Sequence, residues 1–159
     1  MNYKTALLAV CTLLMGTSVA SASNCAYNAE QKSLHMRALQ SELIVAALAC
    51  SKKQDYNHYV TQFSKDLQWQ GKQLKSYFQR SYGSTSERQL NQFVTQMANQ
   101  ASRLSLAKTR DDYCEQAGKL YSVINNARPW QVVDYAQAHY AAWHGVSSCD
   151  AKQVVAQAK

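Results

Sequence analysis

Apolar positions along the chain recur mostly at helical spacing. Met36, Leu39, Leu43, Ala46 and Cys50 alternate by three and four, which predicts a helix from about Tyr27 to Cys50. Ile44, Val45 and Leu48 point to its other sides, so the last two turns are apolar all round and are expected to be enclosed by other helices. The polar run "SKKQD" then opens a turn. A second helix is expected over about Gln54 to Ser81, with Tyr56, Val60, Phe63, Leu67, Leu74 and Phe78 as its stripe. Tyr82-Gly83 ends it, glycine being the usual left-handed stop. "STSE", Ser84 to Glu87, has the form of a capping box opening a third helix, whose stripe is Leu90, Phe93, Val94, Met97, Ala101 and Leu104.

Thr109 followed by Asp111 and Asp112 predicts the start of a fourth helix, because early carboxylates suit the positive end of the helix dipole. Tyr113, Ala117, Leu120, Tyr121 and Ile124 form its apolar face. Pro129 suits a first helical position, so a fifth helix should run from about Pro129 to His139, or on to His144. The remainder reads as an extended tail with a weakly helical end. With a single Pro and five Gly in 159 residues, the chain is predicted to be all-α: one compact bundle of four to five helices with up-down topology.

The N-terminus changes this picture. Lys4 precedes an apolar run from Ala6 to about Met15, and Ala20-Ser21-Ala22 fits the small-x-small cleavage rule. The run is shorter than the ~20 apolar residues that span a bilayer. It reads as a cleaved signal peptide over residues 1–22, leaving a bundle domain over 23–149 and a tail over 150–159. A lipoprotein would need Cys11 or Cys25 as the modified residue; Cys11 falls too early, and Asn24 is a poor residue before Cys25. The chain beyond the signal holds four cysteines, an even number that in an exported protein favours two disulfides.

Their pairing follows from the predicted topology. Short connections make successive helices antiparallel, so the end of the first helix and the start of the fourth lie at one level. Cys50 and Cys114 sit there, while Cys25 lies about 35 Å away along the first helix. A disulfide needs Cα atoms within ~7 Å, so Cys50 pairs with Cys114 and Cys25 is left for Cys149. The second bridge requires the fifth helix to cross the bundle base, or to stop near His139 so that the chain can double back.

The exported chain carries 16 Lys and Arg against 10 Asp and Glu, with all of the excess in residues 23–108. This favours anionic partners, although a basic solvated face is common in exported proteins. On the second helix, Lys65, Lys72, Lys75 and Arg80 fall opposite the apolar stripe, with His58 and Trp69 among them. A tryptophan in a basic, solvent-facing stripe marks a candidate docking face, since Trp and Arg are enriched at binding hot spots. The bland alternative is that the fifth helix or the tail covers Trp69.

The segment "WQVVDYAQAHYAAWH" is rich in aromatic residues but lacks the Lys and Arg of a surface-seeking helix, so it is expected to pack on the bundle. His139 and His144 are five apart, the wrong spacing for two ligands on one helical face, and no metal or cofactor is expected. His35 with Glu42, and Asp55 with His58 and Tyr59, read as surface or packing pairs. No catalytic or phosphate-binding motif is present, so a non-enzymatic role is expected, with an unrecognised hydrolase a lesser alternative. Export and the modest charge argue against nucleic acid.

"LQSELIVAALAC", with "YFQRSYG" and "DYCEQ" further on, resembles a group of small exported all-helical bacterial proteins with two disulfides and no known activity. The resemblance carries no functional residue. The expectation is a periplasmic or secreted binding or accessory protein. Its partner would be another envelope protein, met in an inhibitory, immunity, chaperone or assembly role. An anionic envelope surface, lipid headgroup or cell-wall polymer, is the alternative partner.

Overall fold

A computed structural model describes residues 25–149. The expected signal peptide and the last ten residues lie outside them. The described chain is all-α, with helices α1 (Asn28–Ala49), α2 (Lys53–Gln62), α3 (Ser64–Tyr82), α4 (Ser86–Leu106), α5 (Arg110–Asn125) and α6 (Pro129–Tyr140). α1 is the axis of the bundle, and each of the other helices packs against it. Leu34, Leu39, Leu43, Ala46 and Ala47 on α1 are fully or almost fully buried. Around them close Tyr77 of α3, Met97 of α4, Ile124 of α5 and Ala136 of α6. The hydroxyl of Tyr121 donates to the Leu43 carbonyl at 2.5 Å, satisfying a polar group inside this core.

The apolar end of α1 is less enclosed than its pattern suggests: Ile44 and Val45 are half-buried and Leu48 is exposed. The helix stops with Ser51 in the left-handed region (φ 57°), while the Lys52 N–H donates to the Ala47 carbonyl. That six-to-one bond is the Schellman closure, here built on serine where glycine is usual.

Three expectations need correction. The helix expected over 54–81 breaks at Phe63, whose φ of −103° and ψ of 17° leave the helical region. Neither proline nor glycine causes this. The bend lets α2 pack against α5 while α3 packs against α4, and the buried Phe63 ring sits at the joint. The stripe rotates with it, so Tyr59 is buried in place of Val60, and Gln70 and Tyr77 join the inner face. The Ser84–Glu87 capping box does not form. Residues 83–85 make a 3-10 turn, Thr85 Oγ1 donates to the Tyr82 carbonyl, and Ser86 Oγ donates to Gln79 Oε1. On α4, Leu104 is exposed.

Elsewhere the local signals work as read. Gly83 has φ 52° and ends α3. Thr109 Oγ1 accepts from the Asp112 N–H at 3.2 Å, capping α5. Pro129 is the first residue of α6. Both expected disulfides are present, Cys50–Cys114 with Cα atoms 5.3 Å apart and Cys25–Cys149 with Cα atoms 5.0 Å apart. For the second, α6 stops at Tyr140, one short turn follows, and the chain doubles back in extended form. Ala26 and Ser148 pair there as a parallel bridge, with the Ala26 N–H on the Ser147 carbonyl and the Cys149 N–H on the Ala26 carbonyl. Disulfides of this kind belong to an oxidising environment outside the cytoplasm. No helix among the described residues is long and apolar enough to cross a membrane.

Candidate functional site

α3 carries most of the residues singled out by the basic stripe, and the structure divides them. Lys65, Lys72 and Lys75 are exposed, and Trp69 retains 47% of its surface. The residues buried on α3, including Gln70, Leu74, Tyr77 and Phe78, lie on its opposite side, so Lys65, Trp69 and Lys72 form an outward ridge. α6 packs on α1 and leaves Trp69 uncovered. None of the three lysines forms an ion pair among the described residues. His58 is exposed too, but it stands on α2 across the break at Phe63, apart from this ridge.

Arg80 leaves the group altogether. Its Nε and Nη2 donate to Glu30 at 3.1 and 2.5 Å, and Nη2 also donates to the Cys25 carbonyl at 2.9 Å. The guanidinium lies 4.6 Å from the centre of the Tyr27 ring and 5.7 Å from that of Tyr77. Glu30 is 6% exposed and reaches back to the Tyr27 N–H at 2.8 Å, closing the first turn of α1. A bidentate pair with two aromatic faces is a structural joint between α1 and α3. Glu30 raises the Arg80 pKa through that hydrogen bond, holding the charge in place. Arg80 therefore braces the base.

The histidines also find other partners than expected. His35, almost fully buried on α1, stacks on His144 with ring centres 4.8 Å apart. His144 Nδ1 accepts from the Val146 N–H at 3.0 Å, which puts the proton of the neutral ring on Nε2. Burial and then the neighbouring His35 charge lower the His144 pKa to about 4, and burial lowers that of His35. Glu42 instead accepts from the Tyr140 hydroxyl at 2.6 Å, and Asp55 pairs with Lys52 at 3.5 Å. Among the described residues no group of three His, Cys, Asp or Glu side chains is placed to hold a metal.

The aromatic segment packs as expected over most of its length. Val132, Ala136 and Tyr140 are buried, and Trp143 sits edge-on to Tyr140 at 4.9 Å. Trp130, at 58% exposure, does not join them.

The concavities among the described residues include two of different make. The first is a shelf along the outer side of α4, whose walls include Arg88, Asn91, Thr95 and Arg103 and come from that one helix and the turn before it. The second, of about 240 Å³, opens between α1 and α3, on the side of α3 away from Trp69. Arg37 lines it, with its Nε buried and unpartnered. Compared with family models, curated proteins and solved structures, the chain matches none of them.

Proposed function

We propose that the protein is an exported, disulfide-stabilised binding or accessory protein of a bacterial envelope, without catalytic activity of its own. It docks an acidic surface of another envelope protein onto the α3 ridge. The observation that carries this reading is the half-exposed Trp69 between Lys65 and Lys72, on a helix whose opposite side is anchored in the core. An uncovered tryptophan with a lysine one turn before it and another one turn after it, Asp66 being the single carboxylate beside them, suits a hot spot with electrostatic steering. The apolar N-terminal run and its small-residue cleavage site support export to the periplasm or beyond.

Pull-down from an oxidised periplasmic extract should recover one protein in stoichiometric amount. Trp69→Ala combined with Lys72→Glu should weaken that capture at least tenfold, as loss of a hot-spot residue does. Capture undiminished by the double substitution would remove the ridge from consideration. Binding to anionic vesicles or cell-wall polymer that vanishes as salt is raised would point instead to a charged surface as the partner.

A further inference from the structure

The cleft between α1 and α3 is lined by a half-buried arginine that has no ion-pair partner among the described residues. Met36, Arg37 and Gln40 line it from α1, and Leu67, Gln70 and Gly71 from α3. Among the described residues the Arg37 guanidinium makes one hydrogen bond, from Nη1 to Gln40 Oε1 at 3.5 Å, the outer limit of such a bond. Its Nε is buried without a partner, and no carboxylate pairs with it among the described residues. Gln70 is 6% exposed, and its Oε1 also lacks a partner. Polar groups this buried are normally satisfied, so two orphans on facing walls of one cleft call for a ligand.

We propose that this cleft binds a small monocarboxylate bearing a hydrogen-bond donor and a short apolar chain, the chemistry of an apolar α-amino acid or 2-hydroxy acid. Arginine's planar fork matches a carboxylate, Gln70 Oε1 accepts from the ligand's amino or hydroxyl group, and Met36, Leu67 and Leu74 take the apolar chain. At about 240 Å³ the cleft is smaller than the pockets that enclose drug-sized ligands, which sets the ligand's size. Gly71 keeps the space open. It sits inside α3, where alanine is the better helix former, yet a Cβ there would meet no atom within 4 Å. The site is independent of the α3 ridge.

Isothermal titration of the oxidised protein with L-leucine and with 2-hydroxy-4-methylpentanoate tests it. The expected result is one saturable site for at least one of them, with leucinol, which lacks the carboxylate, bound at least about tenfold more weakly, as loss of a charge-assisted hydrogen bond implies. Arg37→Met should weaken binding by a similar factor, and the double change at Trp69 and Lys72 should leave it unaltered. Gly71→Leu fills the cleft from the α3 wall, leaves Arg37 itself in place, and should abolish binding. Its thermal transition reports that the chain still folds, so it decides the matter independently of Arg37→Met. Absence of binding by both acids at ~10 mM would overturn the proposal. So would leucinol binding as tightly as leucine, or a folded Gly71→Leu variant that still binds.

Discussion

Arg80 at the base of the bundle and Arg37 in the α1–α3 cleft are two cations on facing helices with opposite surroundings. Arg80 has a buried carboxylate, a carbonyl and the Tyr27 ring, all from the start of α1 and the residues just before it, and the Tyr77 ring from its own helix. Arg37 has a long bond to one amide and a buried Nε with nothing to donate to. Desolvating a cation costs several kcal/mol unless charge or hydrogen bonds offset it. The base makes that compensation within the fold, whereas the cleft leaves it to a bound molecule. The same side chain is thus a brace in one place and a receptor in the other. What tells them apart is whether the fold brings in a partner from far along the sequence.

The sharpest way to break the contrast is to open the base. Replacing Cys25 and Cys149 together by serine removes a cross-link closing 124 residues, with an expected cost of about 4–5 kcal/mol on loop-closure grounds. It also frees the carbonyl that Arg80 holds, and denaturant unfolding measures the loss. Next in size is Arg80→Met, which strands Glu30 in the interior. A fully buried orphan costs ~3–5 kcal/mol. Because the Arg80 side chain is 35% exposed, about 2–3 kcal/mol is expected, read from the shift in the unfolding midpoint.

The stacked histidines give a third, pH-dependent test at the same end of the molecule. His144 titrates near 4 in the folded chain, below the ~6.5 of an unfolded histidine, so the unfolded state takes up the proton first. The stabilisation is fully present above about pH 6.5 and is lost as pH falls towards 4. The slope is at most ~1.4 kcal/mol per pH unit, reduced because the ring is partly solvated. Thermal midpoints between pH 7 and 4.5 should fall for the native protein and fall less steeply for His144→Phe; parallel slopes would contradict this. The smallest effect returns to the cleft. Gly71→Ala should raise stability by about 0.5–1 kcal/mol, since the added methyl has room and alanine favours the helix.

Much of the fold was legible from local chemistry. Thr109, Pro129 and Gly83 mark their helix ends through effects that reach only a few residues. The disulfide pairing was legible too, because antiparallel helices leave each cysteine only one partner at its own level. The break at Phe63 was not, because no local breaker produces it; it comes from α2 and α3 packing against different neighbours. Periodicity alone puts Arg80 on the docking face because Glu30 is 50 residues away, and helical periodicity describes one helix at a time. The same blindness separated His35 from His144 and hid Arg37, whose isolation is a property of two helices together. Trp69 and the three lysines could be read because outward exposure follows from the stripe on the opposite side of their own helix.

Unfolding Arg37→Met beside Arg80→Met, both oxidised and without added ligand, tests the contrast most directly. Methionine keeps the aliphatic stem in each case and removes the guanidinium with its charge and its donors. Arg37→Met should match or exceed the native protein in stability, since removing a half-buried cation that lacks an ion-pair partner relieves its partial desolvation, while Arg80→Met loses about 2–3 kcal/mol. Equal losses in the two variants would mean that Arg37 too is held by the fold, and the cleft would then have no charge left to offer a ligand.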